Sequence, residues 1–417
     1  MHSLFRNMDN QIFTLKSGMK VAFKKTSSSV AYCALCIKAG TANEPAGKHG
    51  LAHLTEHMIF RGTEKRSARS INDRLEKVGG DMNAYTAKEE TVVYCTVLKE
   101  DIAKAIDLSF EIVFTSLFDE DELEKEKNVV ADEINMCLDN PSDFIFEDYE
   151  KQLFKGHPLS RTILGTAASL KGITSDDIRA FVHERYVPHN MSFVVVGDFE
   201  QETVLATVEK LLEKYTPYFT GRKAPAAVNR KPAENMFNID KVRKFHQANC
   251  IIGSKAYPFG HPDRIALSLL TNILGGPASN SRLNSSLREK KALVYHIDAS
   301  YVRYSTAGVS VIYFGCDKSN VDKCIALVLK ELKKVREEPL SEPALKAAKK
   351  QMLAQNAIAS EYGEAQALSI GRSILRGGEY PNPELFRKKL EAVTSEQLQR
   401  VAQEIFAEDK LCRLIYR

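Results

Sequence analysis

Two histidines and a glutamate share one short stretch of the chain, His53-Leu54-Thr55-Glu56-His57. Residues three and four positions apart lie on the same side of a helix, so this spacing places both imidazoles and the carboxylate on one helical face. Neutral imidazole is the commonest protein ligand for zinc. The order H-x-x-E-H inverts the H-E-x-x-H arrangement of hydrolytic zinc enzymes. The residue types therefore predict a zinc site with a carboxylate beside it.

A hydrolytic zinc site needs a third protein ligand and an open position for water. Segment 119–140 supplies the candidates, because it begins with four acidic residues, which suit a helix N-terminus, and continues with apolar residues at helical spacing. Glu126 and Glu133 are seven residues apart, so two helical turns separate them and they project from one face. Composition and spacing alone leave Glu124, Glu126 and Glu133 open as the third ligand.

The segment Gly50 to Thr63, GLAHLTEHMIFRGT, resembles the zinc motif of the M16 metallopeptidases, the pitrilysin-like inverzincins that include mitochondrial processing peptidase and insulysin. The resemblance covers nearly the whole chain, and it is closest in type to the two-unit bacterial members, which are similar to the subunits of mitochondrial processing peptidase. It implies His53, His57 and Glu133 as the metal ligands, with 75 residues between His57 and Glu133. Glu126 then matches a second family glutamate, which supports the site without binding metal.

These residue types fit peptide hydrolysis. Zinc held by the three ligands would lower the pKa of its bound water and polarise the substrate carbonyl. Glu56, close to that water, would take its proton and later deliver it to the leaving amine. Together with these residue types, the resemblance implies a zinc metalloendopeptidase that hydrolyses unfolded or extended peptides in an enclosed chamber.

The segment Asp81 to Cys95, DMNAYTAKEETVVYC, is similar to the N-A-x-T edge strand of the family. By that resemblance, Asn83 would hydrogen-bond or polarise the scissile carbonyl. The backbone of Ala84 would pair with the substrate as an added strand. Without the zinc motif, the same residues would predict only a turn asparagine before an ordinary strand.

The second half of the chain contains a glycine-rich segment that is similar to the M16 glycine-rich loop. The family's Arg and Tyr, seven residues apart, match Arg288 and Tyr295. The resemblance implies that these two side chains bind substrate and stabilise the tetrahedral intermediate. Arg282 and Tyr301 are nearby alternatives.

The chain also contains an internal repeat. Segments 173–186 and 393–406 share one pattern at an offset of 220 residues, and each opens with a helix-capping signal. Upstream, DELEKEKNVVADEI has a counterpart in EPALKAAKKQMLAQ, where Gln355 stands roughly where Glu133 does. The second half lacks H-x-x-E-H. The repeat indicates a duplicated unit in which only the first copy kept a metal site.

This organisation predicts an N-terminal zinc-binding unit (1–215), a linker (216–236) and a homologous C-terminal unit (237–417) that supplies the Arg and Tyr residues. In each unit, strand runs are joined through hairpins and long helical crossings, which predicts an α+β fold of two α/β sandwich units, with helices on one face of a mainly antiparallel sheet. The N-terminus predicts a hairpin of Gln11–Leu15 and Lys20–Lys24. Helices are predicted at Gly50–Phe60, Ala68–Val78, Lys99–Leu117 and Glu120–Leu138.

Composition excludes several classes of function. The net charge of +4 over 417 residues is nearly balanced, so neither nucleic acid nor a membrane surface is an expected partner. No apolar run has the length of a membrane helix. Cys33 and Cys36 form a C-x-x-C in a predicted strand, where an odd spacing sends them to opposite faces. We interpret them as buried free thiols, consistent with a cytoplasmic location.

The resemblance also implies an assembly. Insulysin-like chains carry four such units, and this chain carries two, so we expect a homodimer in which Arg288 and Tyr295 complete the zinc site of the partner chain. The alternative function is that of a non-catalytic M16-like subunit with a structural or peptide-binding role. A purely structural zinc site is a third possibility, and it predicts four protein ligands and no role for Glu56.

Overall fold

The computed structural model describes residues 12–223, 230–243 and 245–417. These residues form two compact units. The first unit takes residues up to 134, 161–223 and 359–381, and the second takes 135–160, 230–358 and 382–417 apart from 244. The predicted division at the linker 216–236 stays a prediction about the repeat, and residues 224–229 of that linker lie outside the described residues.

The first unit is built on a six-stranded sheet with the order β1-β2-β6-β3-β5-β4. Only β2 and β6 run parallel, so the sheet is mainly antiparallel, as predicted. The predicted N-terminal hairpin is present as β1 and β2, whereas Gln11 lies outside the described residues. The strands are β1 (Ile12–Thr14), β2 (Lys20–Lys25), β3 (Val30–Ile37), β4 (Asp81–Thr86), β5 (Thr91–Leu98) and β6 (Met191–Gly197).

The helices of the first repeat agree in place with the predicted ones, and their ends differ by a few residues. The predicted Lys99–Leu117 helix, for example, is a short 3₁₀ turn followed by a helix that ends at Phe114. These helices are α1 (Leu51–Met58), α2 (Ala68–Glu76), α3 (Ile102–Phe114), α4 (Glu120–Asp139), α5 (Pro141–Leu153), α6 (Ala167–Lys171), α7 (Ser175–Arg185) and α8 (Gln201–Glu213).

The second unit has a five-stranded sheet with the order β7-β11-β8-β10-β9, in which only β7 and β11 are parallel. Its strands are β7 (Asn238–Lys241), β8 (Ala248–Ala256), β9 (Val294–Arg303), β10 (Gly308–Cys316) and β11 (Cys412–Tyr416). The helices of the second repeat are α9 (Arg264–Gly275), α10 (Val321–Glu337), α11 (Glu342–Ala359), α12 (Gly363–Leu375), α13 (Pro383–Glu391) and α14 (Ser395–Ile405). The α+β class with two mainly antiparallel sheets is therefore confirmed.

The expectation that helices cover one face of each sheet is wrong for the first unit. There, α12 from the second repeat packs on the face opposite to the main core, with Ala367, Ile370 and Ile374 against Val194 and Val196. A strand that is covered on both faces needs apolar residues at consecutive positions. Strand β6 meets this requirement, since all of its residues are buried. The second unit includes α5, which belongs to the first repeat.

The two cysteines of the C-x-x-C lie as predicted. Both are free and buried. Cys33 belongs to the main core of the first unit, whereas Cys36 faces the layer that contains α12. None of the described helices combines the length and apolar character needed to cross a membrane.

Candidate metal centre

Helix α1 carries the H-x-x-E-H residues, and its apolar side fixes which way they project. Leu51, Leu54 and Met58 are buried in the core of the first unit, so the opposite side of the helix presents His53, Glu56 and His57. The preceding residue, Gly50, has φ of +90°, a left-handed conformation that glycine adopts without a steric penalty. The helix therefore starts abruptly, and its first turn carries the first histidine.

His53, His57 and Glu133 each offer one donor atom within 4.8 Å of the others. His53 Nε2 lies 3.7 Å from Glu133 Oε2, and His57 Nε2 lies 3.7 Å from Glu133 Oε1. These distances are too long for hydrogen bonds, and they suit three atoms that surround a common centre. Within the described residues, this is the one cluster of three such groups that could hold a metal ion.

Glu126 lies one layer behind the cluster, buried on α4. His57 Nδ1 donates a hydrogen bond of 2.9 Å to Glu126 Oε2, and Arg61 approaches Oε1 at 2.6 Å. A carboxylate can only accept, so Nδ1 carries the proton and Nε2 keeps its lone pair for a metal. Glu126 is thus placed to orient His57. Because His57 Nδ1 and the Arg61 guanidinium engage its two oxygens, it is not available as the third ligand.

The first histidine is held in its neutral form. Burial, followed by the neighbouring His57, lowers the pKa of His53 to about 3. A neutral imidazole at physiological pH is the form that binds zinc. The donor set of two neutral imidazoles and one carboxylate therefore fits zinc, with three protein ligands and room for a fourth.

Glu56 lies beside the cluster but outside the donor set. Its Oε2 accepts a hydrogen bond of 2.6 Å from the hydroxyl of Thr86, at the end of β4. The pKa of Glu56 lies above its ordinary value, mainly because the side chain is buried. The Thr86 hydrogen bond and His57 act in the opposite direction, and the Glu133 carboxylate adds to the rise. A carboxylate whose pKa lies above its ordinary value is better suited to take up and release a proton than an ordinary one.

Strand β4, with Asn83 and Ala84, forms one edge of the first sheet. Its inner side pairs with β5, in a register that sets Asn83 opposite Tyr94 and Ala84 opposite Val93. The outer side has no strand partner among the described residues. Asn83 is exposed, and an edge strand can pair with an extended peptide.

Arg288 and Tyr295 belong to the second unit. Arg288 lies in a π-helical segment, Asn284–Glu289, and the exposed Tyr295 lies near the start of the edge strand β9. The Tyr295 hydroxyl donates to Asp317 Oδ1 at 3.0 Å, whereas that of Tyr301 donates to the Tyr257 carbonyl at 2.6 Å. Tyr295 is thus the more accessible of the two tyrosines that the sequence offered.

Sequence reasoning missed three residues around the site: Thr86, Arg61 and Glu44. Thr86 is the last residue of the N-A-x-T segment, and Arg61 lies four residues after His57. Both belong to segments that resemble the family, but sequence reasoning assigned no function to either side chain. Glu44 precedes the motif, and its carboxylate accepts hydrogen bonds from the first turn of α1. No spacing rule connects these residues to a metal site, because their contacts depend on tertiary folding.

Comparison with known proteins agrees with this geometry. Residues 20–167 match the family described as Insulinase (Peptidase family M16), and residues 172–352 match the Peptidase M16 inactive domain. The chain is 30% identical over 405 residues to an uncharacterized zinc protease, YmxG, of Bacillus subtilis, covering 97% of each chain. It is 28% identical over 374 residues to an uncharacterized zinc protease of Rickettsia felis, covering 89% of each.

Two solved structures share the fold. One is a protease from Helicobacter pylori, with a TM-score of 0.89 at 24% identity over 97% of this chain and 98% of that one. The other is a peptidase M16 inactive domain from Pseudomonas fluorescens, with a TM-score of 0.89 at 22% identity over 97% of each chain. These two likenesses concern the fold, whereas the two M16 family matches and the Bacillus relative, which is similar over 97% of each chain, establish that the chain belongs to the M16 family of peptidases.

Proposed function

We propose that this M16 chain is a zinc-dependent endopeptidase. The observation that carries the proposal is the three-donor cluster of His53, His57 and Glu133, with the buried carboxylate of Glu56 beside it and outside it. A structural zinc site is closed by four protein ligands, whereas a hydrolytic site keeps three ligands and an open position. Relatives that are named zinc proteases support the choice of metal.

Zinc, when bound by the cluster, supplies a Lewis acid that acidifies water and polarises a carbonyl. Glu56 is the base that takes the proton from the attacking water and passes it to the leaving amine. The Thr86 hydroxyl holds one Glu56 oxygen, so the other oxygen is the one that exchanges the proton. Glu126 keeps the proton of His57 on Nδ1 and fixes the ring.

The substrates of this proposal are extended or unfolded peptides. The open side of β4 offers backbone N–H and C=O groups along several residues, and pairing with them requires free backbone groups in the substrate. Ala84 would pair with the peptide backbone, and Asn83 would hydrogen-bond the scissile carbonyl. The free thiols at all eight cysteines support a cytoplasmic place of action.

We further propose a homodimer in which Arg288 and Tyr295 complete the site of the partner chain. Complementation tests the pairing: a Glu56→Gln chain is mixed with a chain carrying Arg288→Ala and Tyr295→Phe, each inactive alone. Pairing across chains leaves one site of the mixed dimer intact, so activity returns. Pairing within a chain leaves both sites defective, and no activity appears once subunit exchange has been demonstrated by a labelled chain.

The competing function is a non-catalytic, structural or peptide-binding subunit. The description of residues 172–352 as an inactive domain is compatible with it for the second repeat, which has Gln355 and no H-x-x-E-H. The first repeat differs, because a subunit without chemistry needs neither a neutral His53 nor a buried Glu56 beside the donors.

Metal analysis tests the proposed donor set at the level of single residues. We expect about one zinc ion per chain. Glu133→Gln should weaken zinc binding strongly, whereas Glu124→Gln should leave it unchanged. Glu124 is a matched control because it lies on the same helix, exposed and paired with Lys127. Equal zinc retention by the two variants would remove Glu133 from the donor set.

A further inference from the structure

A buried carboxylate lies beneath the start of α1. Glu44, in the loop before the helix, is 4% exposed. Its Oε1 accepts hydrogen bonds from the backbone N–H groups of Gly50 and Ala52, each 3.0 Å long. Its Oε2 has no hydrogen-bond partner among the described residues, since His49 Nδ1 is 3.9 Å away. Both hydrogen bonds of the Glu44 carboxyl group are therefore directed at the start of the helix that carries the two histidines.

This carboxylate replaces a side-chain cap that α1 cannot have. The first backbone N–H groups of a helix lack internal partners, and the residue before the helix usually supplies an oxygen. Here that residue is Gly50, which has no side chain. A Cβ at this position would lie 2.7 Å from the carbonyl oxygen of Leu164, closer than real contacts allow, so a Ser, Thr, Asp or Asn is excluded. The cap has to come from elsewhere, and Glu44 supplies it.

The loop that holds Glu44 is itself fixed from two sides. Arg161 donates to the backbone carbonyls of Thr41 and Glu44. Lys88, in the turn that joins β4 to β5, donates to the Arg161 carbonyl at 2.7 Å. These contacts connect the turn at the end of the edge strand to the loop and, through the Glu44 carboxylate, to the first turn of α1.

A buried carboxylate costs free energy unless it is satisfied, so a sequence that retains one needs a compensating contact. Burial raises the pKa of Glu44 to about 8, with the backbone hydrogen bonds, Arg161 and Lys88 acting in the opposite direction. At neutral pH the side chain is therefore largely neutral, and an amide of the same shape is its closest substitute. The contacts themselves involve one oxygen, which glutamine also has.

We propose that Glu44 is a positioning residue for the metal centre: by capping the first turn of α1, it fixes where His53 lies relative to His57 and Glu133. This inference rests on the proposed zinc site. His53 directly follows the capped residue Ala52, and its Nε2 has to stay near Glu133 Oε2 on another helix. Without the cap, the backbone N–H groups of Gly50 and Ala52 lose their side-chain acceptor, whereas His57 lies a full turn further along the helix.

The test compares zinc affinity, measured by competition with a chelator, for wild type, Glu44→Leu and Glu44→Gln. Leucine fills the space without an acceptor, and we expect zinc affinity to fall by about tenfold or more. Glutamine keeps the acceptor oxygen, and we expect affinity within about threefold of wild type. Affinities are measured well below the melting temperature of each variant, so a loss of stability alone does not change them.

Asn382→Ala is the matched control. Asn382 Oδ1 also accepts from two backbone N–H groups, those of Glu384 at 2.9 Å and Leu385 at 3.1 Å, at the start of α13 in the second unit. Its loss should lower stability and leave zinc affinity unchanged. A reduced affinity in Asn382→Ala, equal to that in Glu44→Leu, would mean that any lost cap has the effect and would overturn the inference.

Should Glu44→Leu lack a cooperative melt, Glu44→Asp replaces it, because the shorter side chain keeps the carboxyl group but does not reach both N–H groups. We then expect the Glu44→Asp protein to bind zinc more weakly than the Glu44→Gln protein. Folded Leu or Asp variants that bind zinc within about twofold of wild type contradict the positioning role. Absence of zinc binding by wild type contradicts instead the proposed function, so the two failures are distinguishable.

Discussion

Replacing Glu126 with glutamine should loosen the metal centre without removing a ligand. Glu126 accepts from His57 Nδ1 and pairs with Arg61, and its side chain is 3% exposed. The amide has one acceptor oxygen and no charge, so it cannot keep both contacts. Arg61 is 40% exposed and can turn to solvent at little cost, so the main loss falls on the orientation of His57. Loss of such a partner typically weakens metal binding by about 10- to 100-fold, or roughly 1.4 to 2.7 kcal/mol.

The assay is zinc affinity by chelator competition, with Glu124→Gln as the control on the exposed side of the same helix. Thermal unfolding of the metal-free proteins shows whether each variant is folded at the assay temperature. We expect weaker binding for Glu126→Gln and unchanged binding for Glu124→Gln. Equal affinity for Glu126→Gln and wild type would refute the claim that Glu126 holds the ring of His57 in its ligating orientation.

Three further predictions follow from the same geometry. Thr86→Val keeps the shape of the side chain but removes the hydroxyl that donates a hydrogen bond to Glu56. It should lower kcat by about 10-fold or more and leave the zinc content unchanged. A wild-type kcat would contradict the role of Thr86. The pKa of His53 is about 3 in the folded state and 6.5 in the unfolded state, so the unfolded state binds more protons between these two pH values. The free energy of unfolding of the metal-free protein should therefore fall as pH drops from 6.5 toward 3, by up to about 1.4 kcal/mol per pH unit. Urea unfolding curves at several pH values should show a smaller fall for His53→Gln. An unfolded protein should be cleaved far faster than its folded form, as gel analysis of the digests can show; equal rates would exclude pairing along the edge strand.

Much of the site could be predicted from short-range sequence patterns. The spacing of His53, Glu56 and His57 determines their common helical face, because helical geometry depends only on residue number. The spacing of Glu126 and Glu133 likewise places both on one side of α4, and the structure sets each of them against His57. Choosing Glu133 over Glu126 as the ligand required the family resemblance, since spacing treats the two residues alike.

The contacts that could not be predicted connect residues far apart in the chain. The Thr86 hydroxyl reaches Glu56 only because β4 packs beside α1. Glu44 reaches the start of α1 only because the chain between them turns, with Gly50 in a left-handed conformation. The exchange of α5 and α12 between the units was missed for the same reason. The continuously buried residues of β6 carried that signal, because they require cover on both faces of the sheet.

The central claim is that Glu56 is the base of a zinc peptidase, and hydrolysis of an unfolded peptide by Glu56→Gln tests it most directly. Zinc content, thermal unfolding and turnover are measured on the same preparations of variant and wild type. We expect the variant to retain its fold and about one zinc per chain while turnover falls by several orders of magnitude, because the change removes the only proposed base and no ligand. Near-wild-type turnover by a zinc-loaded Glu56→Gln protein would contradict the mechanism.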